Sequence, residues 1–353
     1  DKSVGGTHSA SRLSMCNMWL IYTSVLFGFL VTAELTSVRL MYGESHGISW
    51  TDLDINDRLP PLVSQMYMDV LSIDYHYQRS CLFYSGWGNI WSLPLEKPFG
   101  CEGIPRLVIE DGEATSLAVD WVKDRIYWTR RDCTVWRVDL PGINQTLILN
   151  KTVNFSCLQS LVLDPYSRFL FLAADGNGFF RMDLDGGGLK RIQIEGRRSL
   201  QTVSLALDTG RKRLYLSVRW DSLPNILSCD YDGTRIQDYR LSAEWWNTFI
   251  SIGVLGDQLF WAHRGWDGQG RDTVWKANVS EGGGLTWLKE YTAPGSLLDP
   301  ETKIWTLKVY HPEVQMARKE MSSSSCHRPE KLLLLAIMCI CICNLFNYNY
   351  SVR

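Results

Sequence analysis

The stretch SLAVDWVKDRIYWTR (116–130) returns along this chain at a near-constant interval, and that period limits the fold more than any other property of the sequence. Two runs of alternating apolar residues flank a short charged turn, the pattern of strand–turn–strand. It recurs as SLVLDPYSRFLFLAAD from Ser160 and SLALDTGRKRLYLSVR from Ser204. Looser copies read LSIDYHYQRSCLFYSG from Leu71 and ISIGVLGDQLFWAHR from Ile250. The aspartate ending each first run falls at Asp74, Asp120, Asp164 and Asp208, with Gly253 in the fifth copy, so the intervals are 46, 44, 44 and 45 residues. A period near 44 built from alternating strands marks a propeller blade.

Each copy continues with a third strand, for example NIWSLPL (89–95), TVWRVDL (134–140) and TVWKANV (273–279). Hairpin turns follow at Pro141-Gly142, Asp185-Gly186 and Asp232-Gly233, and a fourth strand closes the unit. A sixth unit is split between the two ends. VRLMYGESHGISWTDLD (38–54) supplies second and third strands, PPLVSQM (60–66) the fourth, and TLKVYHP (306–312) the missing first. Sharing one blade between both ends removes the open edge that would invite aggregation. The predicted fold is all-β: a six-bladed β-propeller of four-stranded antiparallel blades over residues 37–315.

Outside the repeats the sequence reads as exported. Lys2 and Arg12 precede an apolar stretch from Trp19 to Val31 that ends in Val31-Thr32-Ala33, so residues 1–33 combine a signal peptide with upstream sequence before Met15. An uncleaved anchor is the alternative. Asn144, Asn150, Asn154 and Asn278 each begin a glycosylation acceptor triplet, three of them within eleven residues, which suggests a glycan-bearing edge. Six cysteines (Cys81, Cys101, Cys133, Cys157, Cys229 and Cys326) lie between the signal and the tail, an even number that reads as disulfides in an exported chain. Residues 316–331 form a polar linker. Leu332 to Cys343 is apolar for twelve residues within the segment 332–346, short of the roughly twenty needed to cross a bilayer. Membrane association through that end is therefore a weak expectation. The formal charge of −2 provides no basic footprint for nucleic acid.

The repeats resemble the class B, or YWTD, repeats of low-density-lipoprotein-receptor relatives: LAVDWVKDRIYWT matches the motif, RWDSLPNI (219–226) is similar to the loop before the third strand, and LKVYHPEVQ (307–315) looks like the closing strand. The resemblance implies an extracellular receptor module that binds a protein ligand or a neighbouring growth-factor-like module. A propeller directly after a signal is similar to the arrangement of Wnt co-receptors. A fragment of an endocytic lipoprotein or yolk-protein receptor is a related alternative. Only the second blade keeps Tyr127-Trp128-Thr129, with Arg130 where the family has aspartate.

Strict repetition of Asp74, Asp120, Asp164 and Asp208 argues for carboxylates that accept backbone N–H bonds at turns rather than for catalysis. Loops between second and third strands lie on the same face as the links between blades. That face gathers His46, Trp87, Arg130, Arg131, Arg219, Trp220, Asp221, His263, Arg264, Trp266 and Asp267, residue types that anchor protein interfaces. His46 and His263 read as solvated loop histidines, with endosomal pH sensing as the sharper alternative. The same topology pairs Cys133 with Cys157 and Cys81 with Cys101, and leaves Cys229 as a small buried apolar residue. Six-bladed propellers also host calcium-dependent lactonases and esterases, which need convergent Glu, Asn and Asp on inner strands. Here those strands read Leu-Ala-Val, Leu-Val-Leu and Leu-Ala-Leu, so neither an enzyme nor a metal or cofactor site is expected.

Overall fold

A computed structural model describes residues 37–54, 57–58, 61–63, 69–95, 106–150, 158–174, 178–194, 201–220, 223–239, 249–264, 272–279, 285–292 and 302–315. The expected signal peptide and the segments expected after residue 315 lie outside them. The described residues form six four-stranded antiparallel sheets, the blades of a propeller. Inner strands of blades 1 to 6 are Ser72–His76, Ala114–Asp120, Leu158–Asp164, Gln201–Asp208, Phe249–Leu255 and Ile304–Tyr310. Each inner strand touches the next around a closed ring. In blade 6 the inner strand pairs with Arg39–Glu44, so the two ends of the domain share one sheet.

Alternation dictates this arrangement. Successive side chains point to opposite faces of a strand, and both faces of every blade meet a neighbour. Each of the six apolar clusters accordingly lies at a seam: Trp128 packs toward blade 1 with Phe83, while Tyr127 packs toward blade 3 with Leu161 and Leu170. The YWT side chains also complete polar bonds. The Tyr127 hydroxyl donates to the Leu184 carbonyl of blade 3 at 3.1 Å, Trp128 Nε1 to Gly112 O at 3.0 Å, and Thr129 and Thr115 share a hydroxyl bond of 2.8 Å.

Serines stitch the seams. The hydroxyls of Ser72, Ser116 and Ser160 accept from the backbone N–H of Leu117, Leu161 and Leu205 on the following blade, at 2.9, 3.0 and 3.2 Å. Ser204 does the same for Ile252 at 3.4 Å, and Ser251 donates to Leu307 O at 3.4 Å. These serines, at 72, 116, 160 and 204, stand 44 residues apart and define the true register.

That register corrects the first blade. Ser72 pairs with Ser85 and Asp74 with Phe83, whereas Ser116 pairs with Thr129 and Ala118 with Tyr127. Asp74 therefore matches Ala118, not Asp120. His76 takes the strand-end position, its Nε2 3.1 Å from Asp124 Oδ1 of blade 2. Gly253 likewise sits at the Ala118 level. The remaining aspartates brace turns and seams. Fully buried Asp120 accepts Val122 N and Lys123 N through one oxygen and Arg168 Nη1 of blade 3, at 2.7 Å, through the other. Asp164 accepts Tyr166 N and Ser167 N, and the Tyr231 hydroxyl of blade 4 at 3.0 Å. Asp208 accepts Arg211 N at 2.9 Å.

The outer strand of blade 6 also departs from the expected 60–66. It is Asp57–Arg58, and among the described residues of the predicted run Val63 pairs, exchanging two bonds with Ile48. Pro60 and Pro61 cannot donate to a ladder. Ring closure leaves little room at Gly43, where an added Cβ would lie 2.6 Å from Thr306 Cγ2 and 2.7 Å from the Val70 carbonyl oxygen. Because one neighbour is backbone, Gly43→Ala should lower stability by about 1–3 kcal/mol, read as a fall in thermal midpoint. An unchanged midpoint would show that the closing seam is looser than its packing indicates.

Candidate functional site

Residues of three blades enclose a cleft of about 600 Å³ on the face that carries the second-to-third-strand turns and the links between blades. Ser45 and His46 come from the blade 6 turn, Trp87 from the blade 1 turn, Arg131 from the blade 2 turn, and Asp69 and Glu113 from the two links. The strands of blade 1 end at Gly86 and restart at Asn89, so Trp87-Gly88 is a two-residue hairpin loop. Both residues have positive φ, 53° and 75°, as the twist of such a turn demands. Glycine and asparagine normally fill these positions; holding a tryptophan there costs about 1–2 kcal/mol. The indole is nevertheless 62% exposed at the mouth of the cleft.

The surrounding charges are tethered. Glu113 Oε2 lies 3.2 Å from Arg130 Nη2, and the same guanidinium sits over the Trp136 ring at 5.9 Å. Asp69 Oδ1 accepts from Trp305 Nε1 at 3.0 Å, and Arg264 covers that indole at 5.2 Å. Arg264 also donates to Ile304 O at 3.3 Å, beside the buried carboxylate of Asp272, which accepts Ile304 N at 2.7 Å. Arg131 is exposed on the rim.

Of the residues expected at this face, His46, Trp87 and Arg131 converge on the cleft, and Arg130 adjoins it through Glu113. Arg219 and Trp220 belong to the strand Arg213–Trp220 rather than to a loop, because the alternating run continues to Trp220 before the turn. Asp221, Trp266 and Asp267 lie outside the described residues. His263 ends the strand Gln258–His263 and is buried, not solvated. Asp69 and Trp305 were missed: Asp69 stands in a link without pattern, and Trp305 reads as one more apolar position of a strand.

Of the expected Cys133–Cys157 pair, the structure describes Cys133. Cys133 keeps a buried thiol in the tight turn after Arg130, at φ 68°, with its Sγ 3.9 Å from Arg131 O. Cys157 lies outside the described residues, as does Cys101, the expected partner of the disulfide-bonded Cys81. Burial pushes the Cys229 thiol up to about 12.

On the axis, Asp74, Ala118, Val162, Ala206, Gly253 and Lys308 occupy equivalent positions around a cavity of about 80 Å³. Lys308 Nζ lies 3.6 Å from Asp74 Oδ1, and Asp74 Oδ2 accepts Val119 N at 2.8 Å. At the opposite face a short helix, Pro312–Gln315, closes the axis. Gln315 Nε2 donates to Tyr75 O at 2.6 Å, Gln315 Oε1 accepts Tyr77 N at 2.8 Å, and its carbonyl accepts the Tyr166 hydroxyl at 3.1 Å. Among the described residues no helix is long and apolar enough to cross a membrane.

Burial holds the His263 imidazole below its ordinary value, so the unfolded chain binds that proton more readily than the folded one. The group's contribution to stability is complete above the unfolded value of about 6.5 and is lost as pH falls from there through the depressed folded value. His76 is also lowered by burial, against the opposing pull of Asp124. The thermal midpoint should therefore drop between pH 7 and pH 5, less steeply in His263→Gln. Identical slopes would remove His263 from that account.

No family model matches the chain. Among curated proteins, Protein cueball of Drosophila erecta is 30% identical over 95 residues, which cover 26% of this chain and 14% of the relative. The Drosophila yakuba protein is 35% identical over 77 residues, covering 21% and 12%. The chain thus spans only about a seventh of the curated relatives it matches. Among solved structures, a chain of a nidogen–laminin complex superposes with TM-score 0.62 at 11% identity over 77% of this chain and 98% of that one. TolB from Acinetobacter baumannii gives 0.59 at 12% identity over 77% and 66%. At such identities the likeness establishes the propeller fold and nothing further.

Proposed function

We propose that this chain carries a non-enzymatic, extracellular protein-binding propeller, and that its partner docks over the cleft between blades 6, 1 and 2. The carrying observation is Trp87, an indole exposed at the tip of a hairpin despite the backbone cost of placing it there. Sites that tolerate strained backbone are enriched in function, and tryptophan is the residue type most often found at interface hot spots. The tethered Arg130, Glu113, Asp69 and Trp305 around it form a rim whose side chains are already ordered, which lowers the entropy lost on docking.

The finer reading follows the sequence: a module similar to the YWTD propellers of low-density-lipoprotein-receptor relatives, secreted or at the cell surface, arranged like a Wnt co-receptor. A chain of the same fold occurs in a complex of nidogen with laminin, which accords with protein binding. The axial ring supports a non-enzymatic role. Ala118, Val162, Ala206 and Gly253 bring no proton-transfer group to the axis, and Asp74 and Lys308 pair with each other.

A photo-crosslinking residue at position 87 of the full chain, displayed to extracellular proteins, should give a discrete adduct that the same residue at Leu189 does not give. Trp87→Ala should then weaken binding of the purified adduct partner by about thirtyfold, equivalent to roughly 2 kcal/mol. Full affinity in Trp87→Ala would place the binding surface elsewhere.

A further inference from the structure

We propose that an N-linked oligosaccharide on the outer edge of blade 2, at Asn144 with Asn150 as second acceptor, shields that edge from pairing with another chain. The proposal rests on the export reading, since the sugar donor is met only along the secretory route. Outer strands expose a row of unpaired N–H and C=O groups, and proteins blunt such edges by keeping them short or charged. The other described outer strands do so. Blade 1 ends in Arg106–Ile109, blade 3 in Lys190–Ile192, blade 4 in Gln237–Asp238 and blade 6 in Asp57–Arg58, four residues or fewer and each with a charge. The longer strand of blade 5, Leu285–Thr292, carries Lys289 and Glu290.

Blade 2 is the exception. Its outer strand Ile143–Leu149 reads INQTLIL, seven residues with neither charge nor proline, the composition that favours intermolecular pairing. Ile143 is 57% exposed and Leu147 39%. The same strand bears one acceptor triplet at Asn144 and is followed at once by another at Asn150. Asn144 is exposed, in the left-handed region at φ 57°, beside an irregularity in the ladder between Arg137 and Asp139. Its Nδ2 donates to Asp139 Oδ2 at 3.1 Å.

In the modification, Nδ2 forms a bond to C1 of the sugar on a polyprenyl-diphosphate oligosaccharide donor. The C1–O bond to the diphosphate breaks, the lipid diphosphate leaves with the electron pair, and one Nδ2 proton passes to a base. The remaining N–H suffices for the bond to Asp139. A hydrated oligosaccharide at this point bars a second strand from approaching the edge.

The full chain, produced in eukaryotic cells behind a heterologous signal peptide, should show occupancy at Asn144 or Asn150 by glycopeptide mapping and run as a monomer by light scattering. Trimming the folded protein with an endoglycosidase that leaves one sugar should replace the monomer peak with dimers and larger species. Leu147→Lys should restore the monomer after trimming. Secreted protein without sugar at either asparagine, or trimmed protein that stays monomeric, would overturn the inference. If the native leader fails to export a chain that behaves as expected behind the heterologous signal, the export reading falls and the shielding role stands.

Discussion

Every seam in this propeller is shared, so no blade can bury its apolar faces alone. Blades 1 to 5 are each built from sequence-local hairpins, but blade 6 exists only when Ile304–Tyr310 reaches Arg39–Glu44. Until then the clusters on both sides of blade 6, around Leu40, Tyr42 and Phe260 and around Met41, Trp50 and Tyr75, remain open to water. One long-range pairing thus completes two of the six seams. Such a non-local contact is expensive to form first and cooperative once formed. The tight approach at Gly43 lies at this closure, where the last sheet meets the first link.

The period of the repeat was legible because burial on both faces forces alternation, and alternation survives when individual residues do not. What misled was the choice of landmark. Aspartate is chemically conspicuous, yet Asp74 occupies a channel position, and the serines that accept backbone N–H bonds across the seams keep the better register. The site was legible in part. Trp87 stands out where two strands leave room for only two residues between them. Arg219, Trp220 and His263 were placed in loops because the ends of alternating runs are poorly marked when polar residues continue them. Asp69 and Trp305 meet across 236 residues, a pairing that only the closed ring creates.

Arginine on the face of the second-to-third-strand turns does more local work than its sequence position suggests. Arg130 holds Glu113 and lies over Trp136, and Arg264 lies over Trp305 beside Asp272. Two of the basic residues that looked available to a partner are thereby fixed against aromatic rings and carboxylates, so the face is less electropositive and more rigid than its composition implies. Trp87 and Arg131 project from that framework.

The shared sheet also sets how the domain answers to mechanical force. Arg39 faces Tyr310 in the register, so the chain enters and leaves the closing blade at the same end of an antiparallel pair. Tension applied between these two ends would peel the ladder open one bond at a time instead of shearing all its bonds together. Beyond Tyr310, however, the load first meets Gln315, whose side chain and carbonyl are tied to blades 1 and 3. A residue five positions past the last strand therefore acts as the latch, diverting a pull away from the weakest geometry and into two blades that lie outside the zipper.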